Sequence, residues 1–194
     1  MAVASAAATG CRPSGPTPPP TLAAGTPTDP DLTNPAVSWE TVLTESEIRT
    51  ATALCNLIIP ADDVSPGAGE VGVPAFINEW VSAPYPAQRK DLVTIRGGLV
   101  WLDTEATERH GVVFADLDPD RQRTICNEVR YLPAAPARLK AAARFFRLFR
   151  NLTTSGFYTT PEGMADLGYV GNRALPNFPG PPPEVLRYLG LEND

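Results

Sequence analysis

The chain has 194 residues, 43% hydrophobic and 20% charged, the balance of a globular protein with one core of ordinary size. Its formal net charge of -6 leaves no basic surplus to neutralise phosphates, which speaks against nucleic acid as a partner. No apolar run approaches the roughly 20 residues of a membrane-spanning helix, and the 22 prolines gather toward the two ends, leaving the middle open to helices.

Residues 1–38 read as a residual export signal or a flexible tether. Met1 to Ala8 are small and apolar, Ala8-Thr9-Gly10 directly precede Cys11, and a Pro/Thr-rich stretch runs on to about Pro35. Small residues ahead of a cysteine, with a polar tether behind it, resemble a bacterial lipoprotein processing site and make Cys11 a candidate for lipidation. An export signal also needs a positively charged start and an apolar stretch of about 7 to 15 residues. Only ten residues precede Cys11 and none is charged, so the alternatives are a start further upstream or a disordered low-complexity tail.

The folded domain is expected over residues 39–194. Thr44 as N-cap, Glu47 as the return arm of a capping box and Leu43 with Ile48 as a hydrophobic staple predict a helix from about Glu45 to Ile59. Its inward stripe reads Ile48, Ala51, Cys55, Ile58, and Pro60 stops it. After a polar loop over Ala61 to Gly72, Pro74 can open a short helix through Phe76, Ile77, Trp80 and Val81. A longer helix, about Ala87 to Glu108, turns Leu92, Ile95, Leu99 and Leu102 inward, and Gly97-Gly98 in its middle predict a close helix crossing. Asp118 caps the next helix with Pro119 at its first position, burying Ile125, Val129 and Leu132. The last long helix, about Pro136 to Thr153, is apolar around most of its circumference and therefore central. The fold class is all-α: a compact domain of about five helices, an irregular Gly/Pro/aromatic C-terminal segment beyond Gly156, and a disordered N-terminal tail.

Chemistry is sparse. His110 is the single histidine, placed at a helix end before Gly111 as a C-terminal cap, so neither a metal-ligand spacing nor a nucleophile with a histidine base can be assembled around it. Gly67-Ala68-Gly69 follow a helix, the wrong context for a dinucleotide- or phosphate-binding loop. Asp116, Asp118 and Asp120 alternate like the start of a calcium loop, but Arg121 and Asn127 stand where Gly and Glu are needed, so they read as a helix cap. Asp62-Asp63 read as loop carboxylates bonding backbone N–H groups, with calcium binding or acid–base work as the sharper reading. Cys55 and Cys126 lie in apolar periodic segments and read as buried core residues, a disulfide between them being the alternative. The expected catalytic, cofactor-binding and metal residues are therefore none.

Two features point to a partner instead. Arg144, Arg147 and Arg150 form a polar strip at spacing three on the last long helix, either a solvated face complementing the helix C-terminus or a row that pairs with acidic groups of another protein. Phe157, Tyr158, Tyr169 and Phe178 fall in a segment with little local structure, where aromatic rings either fold back on the core or anchor an interface.

Taken in order, Leu57-Ile58-Ile59-Pro60-Ala61-Asp62-Asp63, Ser65-Pro66-Gly67-Ala68, Gly72-Val73, Gly97-Gly98-Leu99 to Asp103, and Phe114-Ala115-Asp116-Leu117 form one part of a recurring pattern. Phe145-Phe146 through Leu152-Thr153, Gly156-Phe157-Tyr158-Thr159 and Gly168-Tyr169-Val170-Gly171-Asn172 complete it. The set, over about Leu43 to Asn172, resembles the gluconate 2-dehydrogenase subunit 3 family. That resemblance implies a non-catalytic small subunit which binds, stabilises or escorts a large flavoprotein. The large subunit oxidises sugars, sugar acids or related alcohols, carries FAD, and often passes electrons to a cytochrome c subunit. It also implies the periplasm or the periplasmic face of the cytoplasmic membrane, and adds Asn172 to the candidate partner residues. Family members often carry a twin-arginine signal, and no Arg-Arg pair precedes residue 11 here. The competing expectation is a lipid-anchored envelope scaffold or binding module unrelated to redox chemistry.

Overall fold

The computed structural model describes residues 39–169, 171, 177 and 180–191. All regular structure among them is helical: α1 (Glu45–Ile58), α2 (Val73–Ser82), α3 (Pro86–His110), α4 (Pro119–Asn127), α5 (Lys140–Phe157), α6 (Pro161–Asp166) and α7 (Pro183–Leu189), with short 3-10 turns before α4 and between α4 and α5. Within the described residues no helix is long and apolar enough to cross a membrane.

The first helix starts where its capping box requires. Thr44 accepts from the Glu47 N–H, and the Glu47 carboxylate accepts from the Thr44 N–H at 2.8 Å. The same Glu47 is held by Arg96 Nε at 3.0 Å, so one carboxylate caps α1 and ties it to α3. The buried stripe of α1 is Thr50, Ala51, Leu54 and Cys55; Ile48 and Ile58, expected inside, are only partly buried. Residues before α1 are stitched to α2: Trp39 Nε1 donates to the Glu79 carbonyl at 3.1 Å, and the Leu43 N–H donates to Asn78 Oδ1 at 3.0 Å.

Helix α5 occupies the middle of the fold. It packs against α1, α2 and α3, its pairing with α3 being the most extensive in the molecule. Phe145, Phe149 and Phe157 meet Leu54 and Cys55 of α1, Ile77 and Val81 of α2, and Ile95, Leu99 and Leu102 of α3 in a single hydrophobic core. At the crossing of α3 and α5 a Cβ on Gly98 would lie 1.9 Å from Phe145 Cγ, so only glycine lets the ring seat there. Gly97 has nothing within 4 Å of its would-be Cβ and faces outward. The predicted close crossing is therefore made by one glycine of the pair.

Two boundaries differ from expectation. The α-helix of α5 begins at Lys140, after a 3-10 turn over Ala137–Leu139, and continues past Thr153 to Phe157. Gly156 does not stop it. A Cβ there would come within 2.8 Å of Phe76 and 3.2 Å of Val73, so this glycine lets the last turn of α5 press onto α2. The chain then forms α6, capped by the Thr160 hydroxyl accepting from the Gly163 N–H at 3.0 Å, with Pro161 at its first position. The segment expected to be irregular beyond Gly156 is thus helical as far as Asp166. Helix α7 follows the predicted amphipathic stretch but buries none of its residues.

Candidate partner interface

The sparse chemistry of the sequence is accounted for by local structure. Asp62 accepts the Val64 and Ser65 N–H groups, both at 2.8 Å, and these bonds, that from Ser65 foremost, hold its carboxyl below the ordinary range. Asp118 accepts from the Asp120 and Arg121 N–H groups as the N-cap of α4, with the same consequence, the Arg121 bond being the larger cause. Asp116 is paired with Arg49. His110 closes α3 just before Gly111, whose φ of 77° forms the left-handed stop. Gly67 and Gly69 wrap around Asn56, whose Oδ1 accepts the Gly69 N–H at 2.7 Å, so that loop is shaped by a side chain of α1. No group of three or more His, Cys, Asp or Glu able to hold a metal occurs among the described residues.

Cys55 and Cys126 are both free thiols, which settles the open question of a bridge between them. Cys55 Sγ lies 3.7 Å from Thr153 Oγ1. Loss of hydration pushes each thiol up to about 12 from its ordinary 9.0. The folded state therefore keeps both protonated, and a thiol reagent at pH about 8 is expected to label neither until the domain unfolds. Because the folded value lies above the unfolded one, the stability tied to these thiols is full below pH about 9 and falls as pH rises toward 12. Rapid labelling of Cys55 or Cys126 in a native Cys11→Ser protein would overturn this.

The arginine strip is where the structure departs most usefully from the simplest reading. Arg144, Arg147 and Arg150 are exposed on α5, but that helix ends at Phe157 and has no basic residue in its last turn. Arg144 and Arg147 sit in the half nearer its N-terminus and Arg150 just past the midpoint, short of the last turn where a positive charge gains from the helix dipole. Among the described residues no ion pair involves Arg130, Arg144, Arg147 or Arg150. Five other arginines, Arg49, Arg96, Arg109, Arg121 and Arg123, do find acids: Arg109 is shared between Glu105 and Glu128, the latter held below its ordinary value chiefly by the Arg109 hydrogen bond.

The aromatic candidates separate. Phe157 is 0% exposed, packed in the core and edge-on to Tyr158 with centroids 5.1 Å apart; it is a core residue, and its half-buried neighbour Tyr158 packs against that core. Of the two readings of that stretch, Phe157 takes the inward one. Tyr169 is 55% exposed at the end of α6, where its N–H donates to the Met164 carbonyl. Asn172, Phe178 and Cys11 lie outside the described residues.

Sequence reasoning singled out the α5 strip but missed Arg123 and Arg130, which α4 and the turn after it bring beside Arg150. A signal was present. From Val129 to Pro161 the sequence holds six Arg or Lys residues and no Asp or Glu, inside a chain whose net charge is -6.

No curated protein and no solved structure matches the chain. A family model does, over residues 45–180, which spans all of α1 to α6 and the arginine-bearing face of α5. On that match the chain belongs to the gluconate 2-dehydrogenase subunit 3 family, whose members are subunits of a dehydrogenase complex.

Proposed function

We propose that this chain is a non-catalytic small subunit that binds, stabilises or escorts a large FAD-dependent dehydrogenase subunit oxidising sugars, sugar acids or related alcohols. The observation that carries the reading is the family match over residues 45–180. Its physical support is an exposed row of arginines without carboxylate partners, on a helix whose own stability does not call for them. FAD belongs in the partner. The described residues contain no strand, so the strand-to-helix glycine turn that cradles a dinucleotide has no counterpart among them. The periplasm, or the periplasmic face of the cytoplasmic membrane, is the proposed location, with a cytochrome c subunit as a further member of the complex.

The test is co-expression with and without the flavoprotein subunit of the same complex. The two proteins are expected to copurify, and omission of the small chain is expected to lower the yield of FAD-loaded, dye-reducing enzyme by about tenfold or more, the scale of a modest stabilising contact. Sugar oxidation by the purified small chain alone would overturn the reading, as would an unchanged yield of active flavoprotein in its absence.

A further inference from the structure

Two grooves flank the outward ridge of α5, and every charged side chain lining either of them is an arginine: Arg138 and Arg144 on the side facing α3, and Arg123, Arg130 and Arg150 on the side facing α4. The second groove, about 310 Å³, also presents Leu57, Ile58 and Phe146. It therefore offers an apolar seat between guanidinium groups. Arg123 is held by Asp120 at 2.7 Å, which leaves Arg130 and Arg150 as its two uncommitted cations.

This arrangement does not serve the chain's own stability. Like charges one turn apart on a helix repel, and none of the arginines of α5 reaches its last turn, where the helix dipole would favour them. Nor does it reflect a basic protein, since acidic residues outnumber basic ones by 22 to 16. Guanidinium groups around an apolar seat match a segment that carries carboxylates beside a hydrophobic side chain, because the planar fork of arginine bonds a carboxylate through two parallel N–H groups.

We infer that the groove between α1, α4 and α5 docks an acidic amphipathic segment of the dehydrogenase partner. Carboxylates of that segment pair with Arg130 and Arg150, and an apolar side chain between them covers Leu57, Ile58 and Phe146. The inference rests on the reading of the chain as the small subunit of that complex.

The experiment uses the full chain and the large flavoprotein subunit of the complex, with the dissociation constant measured at about 50 mM and about 500 mM salt, conditions that leave and remove long-range charge effects. Wild type is expected to bind at least about tenfold more weakly in high salt, and R130E/R150E about 100-fold more weakly than wild type in low salt, with its salt dependence largely gone. R89E/K90E, which makes the same charge change at the start of α3, is expected to stay within about threefold of wild type. Melting curves check that each variant is folded, and R130Q/R150Q repeats the test without introducing repulsion. If wild type binds and R130E/R150E binds as well, the groove is not the docking site although the subunit reading stands. If wild type does not bind the flavoprotein at all, the subunit reading fails and this inference with it. A third arm uses vesicles of phosphatidylglycerol. Binding to them that needs Arg130 and Arg150, with flavoprotein binding unaffected, would assign the groove to lipid phosphate and overturn the proposal.

Discussion

Replacing Phe157 with alanine is expected to lower the unfolding free energy by about 3–5 kcal/mol, a large part of the roughly 5–15 kcal/mol that holds a domain of this kind together. The ring is fully buried where the end of α5 meets the core, so its removal leaves both lost apolar contact and a cavity. At roughly 2–4 °C per kcal/mol, the melting temperature should fall by about 6–20 °C in thermal denaturation. Below the new melting point the variant is expected to bind the flavoprotein subunit as wild type does. A Phe157→Ala protein that melts normally yet loses its partner would show that the ring is an interface anchor after all.

The second large effect separates two adjacent glycines. Gly98→Ala gains about 1 kcal/mol of helix propensity but drives a methyl into Phe145, an overpacking strain at the upper end of the usual range, so the net is about 2 kcal/mol of destabilisation. Gly97→Ala has the same propensity gain and meets nothing within 4 Å, so it should stabilise by about 1 kcal/mol. The two melting temperatures are expected to lie about 6–12 °C apart on either side of wild type. Equal shifts would mean that α3 and α5 do not cross at Gly98.

These glycines also show what could be read in the chain beforehand. Helix starts were legible because their causes are local: Thr44 with Glu47 and Asp118 with Pro119 each carry their meaning within one turn. Gly97-Gly98 predicted a close approach, but which of the two meets the neighbour depends on the rotation of α3 against α5. Gly156 looked like a terminator for a similar reason. Its role is set by Phe76 and Val73, some 80 residues earlier in the chain, and no window around residue 156 contains them. The two readings of Phe157 stayed open because of that boundary, since a ring in a loop suits either an interface or the core, whereas a ring in the last turn of a central helix belongs to the core.

The candidate site divides along the same line. The spacing of Arg144, Arg147 and Arg150 was visible because one helix carries all three. The groove was not, because Arg130 and Arg123 come to Arg150 only when α4 folds against α1 and α3. The end of α5 mattered as well. With the helix running to Phe157, the arginines lose the local explanation that a C-terminus near Thr153 would have supplied.

In a chain of net charge -6, the three exposed arginines of α5, without ion pairs among the described residues, make that face locally positive, a patch whose field is opposite in sign to the charge of the whole. In physiological salt, where fields decay over about 8 Å, that patch cannot draw a partner from afar. It can turn the molecule in the last nanometre of approach, so that the face of α5 arrives first. The polarity of the surface then governs how many collisions are productive, and the packing of the groove governs how long the complex lasts.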